Sequence, residues 1–419
     1  MTALTGNQRR GFLAAWAGWM LDGMDSFIYA LVLAPAMKEL LPLSGIAATS
    51  GNLGAYGGML FSVFLVGWGC ASVWGPIADR FGRVRTLTLT ILCYSVFTFL
   101  GCVAGSIVAL GCFRFFAGIG IGGEWTLGSV LVAEEWPAER RVWGAAWMHT
   151  GYYFGIFLAA VLNYVVGSHY GWRVMFAIGG TPAILVAFIR HGVKEPERWK
   201  TAARPGAWQA FQSLFSTEYR LRTILNAVFL LVAMIGLWAG SVYVPGAVTQ
   251  IAGREGYNAG DSARIASWAT MLLSFGTIVG CLLVPYLADR FGRRGALALF
   301  FALMGVSVAV AFGYLFYLRD GALAAFIASL FFVGIGGASF CVFTVWLPEQ
   351  YPTSCRASAF SFATSSGRFV AAGVTYLVGA GVAHFGTIGI PVALTSVAFL
   401  TGLLLTPWGE ETKGKTLPE

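Results

Sequence analysis

The hexapeptide ADRFGR occupies positions 78–83 and returns unchanged at 288–293. A repeat of this kind restricts the chain to folds in which one unit is built twice. The flanks repeat as well: GPIADRFGRVR and PYLADRFGRR each set a charged turn between two long apolar runs. Further along, Glu134, Pro137 and Arg141 recur as Glu349, Pro352 and Arg356, and HYG at 169–171 recurs as HFG at 384–386. Chance does not place three echoes at nearly one spacing.

Composition says where such a duplicated unit must live. Hydrophobic residues make up 57% of the 419 residues and charged residues 11%, against about 25% charged in an average soluble domain. Apolar runs at 12–34, 53–78, 86–108, 110–132, 142–166 and 172–189 are each about long enough to cross a bilayer. A second set follows at 224–248, 266–288, 296–318, 323–347, 357–383 and 388–407. A membrane barrel would need short alternating segments instead. The expected fold is an all-α membrane protein with twelve transmembrane helices in two six-helix halves, 1–190 and 223–419, joined by a cytoplasmic linker at 191–222. Duplicated halves of this type are built by transporters whose halves are related by an axis along the membrane normal.

The net charge of +8 is topological and implies no nucleic acid. With both termini in the cytoplasm, 20 of the 27 Lys and Arg fall in cytoplasmic segments and four (Lys38, Arg254, Arg264, Arg319) outside. This asymmetry is the positive-inside pattern, and it places the protein in a bacterial inner membrane as a multi-pass protein with both termini inside. The linker contains an amphipathic segment with Trp208, Phe211, Leu214 and Phe215, expected on the inner membrane surface. Seven cysteines show no CxxC pair and no metal-like cluster with histidine, so neither a disulfide framework nor a metal site is expected. The first apolar run is too long for a removable signal peptide and is expected to be retained. The glycines at 118, 120, 122 and 123 lie inside a span with no Walker lysine, so they read as helix packing and not as a nucleotide loop. Gly151 and Gly155 read the same way.

Ionisable residues inside spans are the chemical signal, since an unpaired charge at the bilayer centre costs at least about 2.5 kcal/mol. Asp22 and Asp25 lie in the first span, Arg114 and Glu124 in the fourth and Arg368 in the eleventh. The two aspartates, three residues apart, share one helical face. Glu124 lies about 15 Å along the helix from Arg114, so it serves either as a second proton site or as a structural partner to backbone and Trp125. A buried carboxylate that loses its basic partner when helices rock takes up a proton, as proton coupling requires. Arg368 suits a substrate carboxylate, because guanidinium is permanently charged and binds in bidentate fashion; the plainer role is an ion pair inside the membrane. Aromatic candidates for a cavity lining are Tyr29, Tyr56, Tyr152, Tyr153, Trp238 and Trp268, with Trp16, Tyr243 and Trp346 beside them. Each of them equally suits lipid contact or packing. His149 is read as a packed, hydrogen-bonded histidine.

The pattern GxxxDRxGRxR between two apolar segments resembles the signature of the major facilitator superfamily over essentially the whole chain. That resemblance implies a latch in which Asp79, Arg80 and Arg83, and in the second copy Asp289 and Arg293, bond to facing helices in one state and release in the other. Glu134, Arg141, Glu349 and Arg356 are placed to complete each network; a simple topogenic charge cluster is the alternative. The first-span AWAGWMLDGMD, the fourth-span RFFAGIGIGGEW, the GWR at 171–173 and EPERW at 195–199 together resemble the sialate:proton symporter family. The DGxD element is shared with aromatic acid:proton symporters, and the ETKG at 411–414 weakly resembles sugar porters. In related sugar porters a first-helix aspartate pairs with a fourth-helix arginine, which implies Arg114 as partner of a first-span carboxylate.

The resemblance implies proton-coupled import of a small organic acid anion, a monocarboxylate such as lactate or a sialic-acid-like acid, by alternating access. This chain lacks the central insertion of sialic acid permeases, which favours a smaller acid. Asp22, Asp25, Arg114 and Glu124 would serve proton coupling and Arg368 would hold substrate. No cofactor beyond the proton gradient is expected, no enzymatic activity, and a monomer in the bilayer. An aromatic acid:proton symporter and a proton-coupled sugar transporter use the same fold and stand as alternatives.

Overall fold

The computed structural model describes residues 4–184, 188, 192–201, 206–237 and 243–418. Among these residues every regular element is helical. Helices begin where the sequence supplies a side chain to receive the first free N–H groups. Thr5 forms a capping box with Gln8 at the start of α1 (Gly6–Leu43), and Thr49 accepts from Asn52 N before α2 (Ser50–Cys70). After α3 (Trp74–Phe81) and α4 (Arg83–Gly101), Ser106 accepts from Ala109 N at the start of α5 (Ile107–Glu135). The main helices then continue as α6 (Arg141–Leu162), α7 (Trp172–Gly179), α8 (Ala207–Ser213), α9 (Arg220–Leu237) and α10 (Val244–Arg254). The last are α11 (Ala259–Gly313), α12 (Ala322–Gly337), α13 (Ser339–Trp346), α14 (Arg356–Phe385) and α15 (Val397–Leu405).

Both copies of ADRFGR break the helix at the same residue. Gly82 has φ 118° and Gly292 φ 77°, a region in which a side chain is strained and glycine is not. Gly292 divides α11, so that the apolar stretch Arg264–Tyr317 is two passes and not one rod of 54 residues. At about 1.5 Å per residue such a rod would be far longer than a bilayer core of about 30 Å. Seven helical stretches among the described residues are long and apolar enough to cross a membrane. The expected spans at 12–34, 172–189, 224–248 and 357–383 fall on α1, α7, α9 and α14, with 185–187, 189–190 and 238–242 outside the described residues.

The chain forms two compact units. Unit 1 holds Met1–Arg220, Leu347–Phe369 and Thr416–Glu419, and so takes in the first turns of α14; unit 2 holds Leu221–Trp346 and Val370–Lys415. In unit 1, α1 packs on α5, α6 and α7, and α5 packs on α2 and α4. The contacts are close because glycines face backbone. A Cβ on Gly155 would lie 1.8 Å from the Met20 carbonyl oxygen, and one on Gly67 would lie 2.1 Å from that of Phe115, with Gly118 meeting Phe64 in return. Unit 2 repeats this reciprocal pair between α11 and α12, where Gly276 faces Phe331 and Gly334 faces Leu273. The duplication read from ADRFGR therefore extends to how the helices pack. The linker helix α8 buries Leu214 beside it while Trp208 is 68% exposed, and Phe211 and Phe215 meet Phe362 edge-on.

Candidate functional site

The in-span charges gather inside unit 1. Asp22 and Asp25 on α1, Arg114 and Glu124 on α5 and Arg368 on α14 are all buried. Arg114 donates to both oxygens of Asp25 at 3.4 Å. Its guanidinium also lies against the rings of Phe64 (4.6 Å), Tyr29 (4.8 Å) and Phe176 (5.8 Å). Buried charges survive only when paired and surrounded by matched groups, and aromatic faces supply part of that match. Tyr29 is thus committed to Arg114, with its hydroxyl donating to the Gly57 carbonyl at 3.5 Å.

The other carboxylates are held differently. Neither oxygen of Asp22 has a hydrogen-bond partner among the described residues. Glu124 accepts from the Thr90 hydroxyl at 3.5 Å through one oxygen, and its other oxygen has no such partner. Its carboxyl reaches α1 at Gly18, where a Cβ would lie 1.9 Å from Oε1. Thus α5 brings Arg114 to Asp25 and Glu124 to the turn of α1 just before Asp22.

Arg368 rests on an aromatic floor. Its guanidinium carbon is 3.9 Å from the centre of the Trp68 ring, and one Nη donates to the Thr364 carbonyl on its own helix. No carboxylate among the described residues lies within ion-pair range of it, and its Nε has no partner there. The half-buried Tyr152 is in electrostatic reach of Arg368 and of Asp22. Tyr152 packs on Trp19 at 4.8 Å, and Trp19 in turn stacks on Trp125 at 5.7 Å. His149 and the buried Tyr153 join the same aromatic group. Tyr56 is half-buried, Trp268 is 69% exposed, and Trp238 lies outside the described residues. Tyr56 packs against the apolar cluster that holds Tyr29, and Trp268 belongs to unit 2.

The first charged turn is a closed polar network. Asp79 accepts from Ala357 N (3.2 Å), Ser358 N (2.8 Å) and Ser358 Oγ (2.6 Å) at the start of α14. Arg83 pairs with Asp79 at 3.1 Å and with Glu134 at 3.0 Å, and donates to the Thr353 carbonyl at 2.7 Å. Arg356 reaches the same Glu134 at 2.8 Å. It also donates to the carbonyls of Pro348, Tyr351 and Pro418. Arg141 is buried nearby in sequence at the start of α6, and Arg80 is exposed beside Phe81. In unit 2 Asp289 is 65% exposed and sits 3.8 Å from Arg293; Glu349, which belongs to unit 1, is half-buried. The two turns share sequence but not surroundings.

The profile of the Major Facilitator Superfamily matches residues 15–260, and that described as sugar (and other) transporter matches 208–419. The chain belongs to the Major Facilitator Superfamily. It is 28% identical to a probable 4-methylmuconolactone transporter of Cupriavidus pinatubonensis, over 97% of this chain and 91% of that one. It is 27% identical to the niacin transporter NiaP of Acinetobacter baylyi (96% and 93% covered) and 23% identical to the sialic acid transporter NanX of Escherichia coli (97% and 95%). Among solved structures, the proton:xylose symporter XylE superposes with a TM-score of 0.80 at 19% identity, covering 98% of each chain. That likeness concerns the major facilitator fold. The protein is accordingly a multi-pass membrane transporter, in a family of transporters and not of enzymes.

Two residues of this major facilitator chain stand outside the expected site yet hold its charged turns. Glu195 accepts from the backbone N–H of Arg83 (2.8 Å), Val84 (3.1 Å) and Arg85 (3.1 Å). Glu411 accepts from those of Arg293 (3.0 Å) and Arg294 (3.2 Å). Each carboxylate closes a helix start just past the glycine break, where free N–H groups and the helix dipole favour an anion. Burial acts to raise Glu411, but the backbone bonds from Arg293, Lys413 and Arg294 outweigh it and hold the carboxyl below its ordinary value. Glu410 is lowered as well, first by its hydrogen bond from Lys415. The signal was present in the sequence, because Glu195 and Glu411 stand at nearly the spacing of the other echoes.

Proposed function

We propose that this transporter imports a small organic acid anion together with protons across a bacterial inner membrane, with both termini cytoplasmic and the protein acting as a monomer. The observation that carries the reading is Arg368. A buried, permanent cation with no carboxylate partner among the described residues is costly unless an anion joins it. A carboxylate bound in bidentate fashion on the Trp68 platform is the fitting partner. Coupling falls to Asp25 and Arg114, whose pairing protonation of Asp25 would open, with Asp22 and Glu124 beside them; the proton gradient is the energy source. The charged turn around Asp79, Arg83, Glu134 and Arg356 serves as the latch that the cycle opens and closes.

The relatives' named substrates, niacin, 4-methylmuconolactone and sialic acid, are ring-bearing acids or derive from them. With the aromatic surfaces of Trp68, Trp19 and Tyr152 they support a second, narrower reading in which the anion carries a ring, an aromatic acid being the simplest case. Lactate then becomes a poorer fit than a flat cyclic monocarboxylate. A sugar substrate has the shared fold alone behind it.

Uptake by site variants tests the assignment. Arg368→Ala removes charge-assisted bonds of about 1.5 to 3 kcal/mol and is expected to weaken substrate affinity about 10- to 100-fold. Asp25→Asn is expected to abolish accumulation driven by a pH gradient while leaving exchange of substrate across the membrane. Wild-type accumulation in both variants would remove Arg368 and Asp25 from the site.

A further inference from the structure

Unit 2 holds a close helix crossing of its own. At Ala338 the run of α12 into α13 is interrupted, and both helices pack on α11. The Ala338 N–H donates to the Ile335 carbonyl at 3.0 Å and the Cys341 N–H to the Ala338 carbonyl at 2.9 Å, the bonding of a short, tightened turn. Gly280 on α11 makes the room: a Cβ there would lie 2.7 Å from both the Ala338 Cβ and the Ile335 carbonyl oxygen. The next residue along α11 is Cys281, and the first turn of α13 carries Cys341. Cys341 Sγ donates to the Cys281 carbonyl at 3.9 Å, and the Cys341 thiol is hydrogen-bonded to the Cys281 side chain as well. Both thiols are free and fully buried. The five other cysteines all belong to unit 1, so the two that unit 2 contains are brought into contact.

We propose that Cys281 and Cys341 form a binding site for one soft divalent metal ion of the mercury(II) type, held in line between two thiolates. Thiolate sulfur prefers soft metals. Zinc also takes thiolate but wants four ligands in a structural site, and among the described residues no group of three or more His, Cys, Asp or Glu is placed to hold a metal ion. Two ligands suit an ion whose stable coordination is linear. Charge selects the divalent ion: with two thiolates it forms a neutral unit, whereas a net charge inside the bilayer is costly.

Binding is an exchange without change of oxidation state. Each thiol gives up its proton, two sulfur–metal bonds form, and the protons leave with the ion's former ligands. Mercuric chloride is uncharged and crosses lipid, so burial of the pair does not bar it; its two chlorides depart as hydrogen chloride. The occupied site ties α11 to α13 across the turn at Ala338. Sequence spacing hides the pair, because its members stand 60 residues apart and meet only where Gly280 lets the helices close.

X-ray absorption at the mercury edge, on the purified full chain given one equivalent of mercuric chloride, counts the sulfur neighbours of the bound ion. The wild type is expected to show two sulfur atoms per mercury, and so is Cys112→Ala, which removes an exposed thiol of unit 1. Cys281→Ala and Cys341→Ala should each show one sulfur and bind at least about 100-fold more weakly, because the second bond of a chelate forms within the molecule. The ion should also raise the melting temperature of the wild type and of Cys112→Ala and leave that of the two unit 2 variants unchanged. Should either of these variants fail to fold, the sulfur count in the wild type and Cys112→Ala still decides. One sulfur neighbour in the wild type, two retained in Cys281→Ala or Cys341→Ala, or a wild type that loses two hydrogen masses and holds no mercury would overturn the site. The last result would mark the pair as a disulfide former instead.

Discussion

Arg114 shows how much one buried charge depends on its surroundings. It touches one carboxylate at 3.4 Å and three aromatic faces, and every group in that shell is itself buried. Removing one member of such a pair leaves an uncompensated ion and costs about 3 to 5 kcal/mol, whereas removing both is often far milder. Asp25→Ala is therefore expected to lower thermal stability in detergent sharply, and Asp25→Ala with Arg114→Met to recover most of the loss. Additive losses in that double-mutant cycle would show that the two residues are not coupled. That Arg114 pairs with a first-span aspartate was legible because related sugar porters pair a first-helix aspartate with a fourth-helix arginine; that the partner is Asp25 came from the structure. The approach of Glu124 to Gly18, one turn before Asp22, was not legible, because spacing along a helix fixes depth but not which neighbour a side chain turns toward. Tyr29 read as a cavity candidate, yet it packs on Arg114; an aromatic residue in a span carries no sign of which cation it will meet.

At the scale of elements, the helix starts after the two glycine breaks are held by carboxylates brought from distant parts of the chain. Glu411 has a folded value below the ordinary 4.5, so it contributes stability that is present above that pH and lost as pH falls through the folded value. Glu411→Gln is expected to lower the melting temperature at neutral pH, and the gap from wild type should close as pH drops below 4.5. A gap that stays constant with pH would assign the residue a packing role. The helices themselves were readable from apolar runs and caps, and the breaks from glycine inside ADRFGR. The caps were harder to see. Their partners are 112 and 118 residues away in sequence, and only the tertiary fold brings them together.

For the whole molecule, duplication of sequence has produced like packing with unlike charge environments. The glycine contacts between α2 and α5 recur between α11 and α12, but Asp79 is buried under three donors while Asp289 is largely exposed. Identical substitutions should therefore have unequal effects. Asp79→Asn is expected to cost about 1 to 3 kcal/mol through its buried partners, and Asp289→Asn to stay within about 0.5 kcal/mol; equal losses in thermal unfolding would contradict the asymmetry. The repeat made the fold class legible, and in-span charges named the buried residues that unit 1 gathers, whereas no motif names the substrate. The most direct measurement of proton-coupled anion transport is acidification of proteoliposomes carrying a trapped pH dye. Nicotinate, benzoate-type acids, sialic acid, lactate, pyruvate and neutral sugars would be added in turn, with protein-free vesicles as control because small acids cross lipid unaided. Protein-dependent acidification with one class of carboxylic acid, lost in Arg368→Ala, is the predicted result. Silence with every acid and a signal with a sugar would contradict it, and would reduce Arg368 to a structural charge.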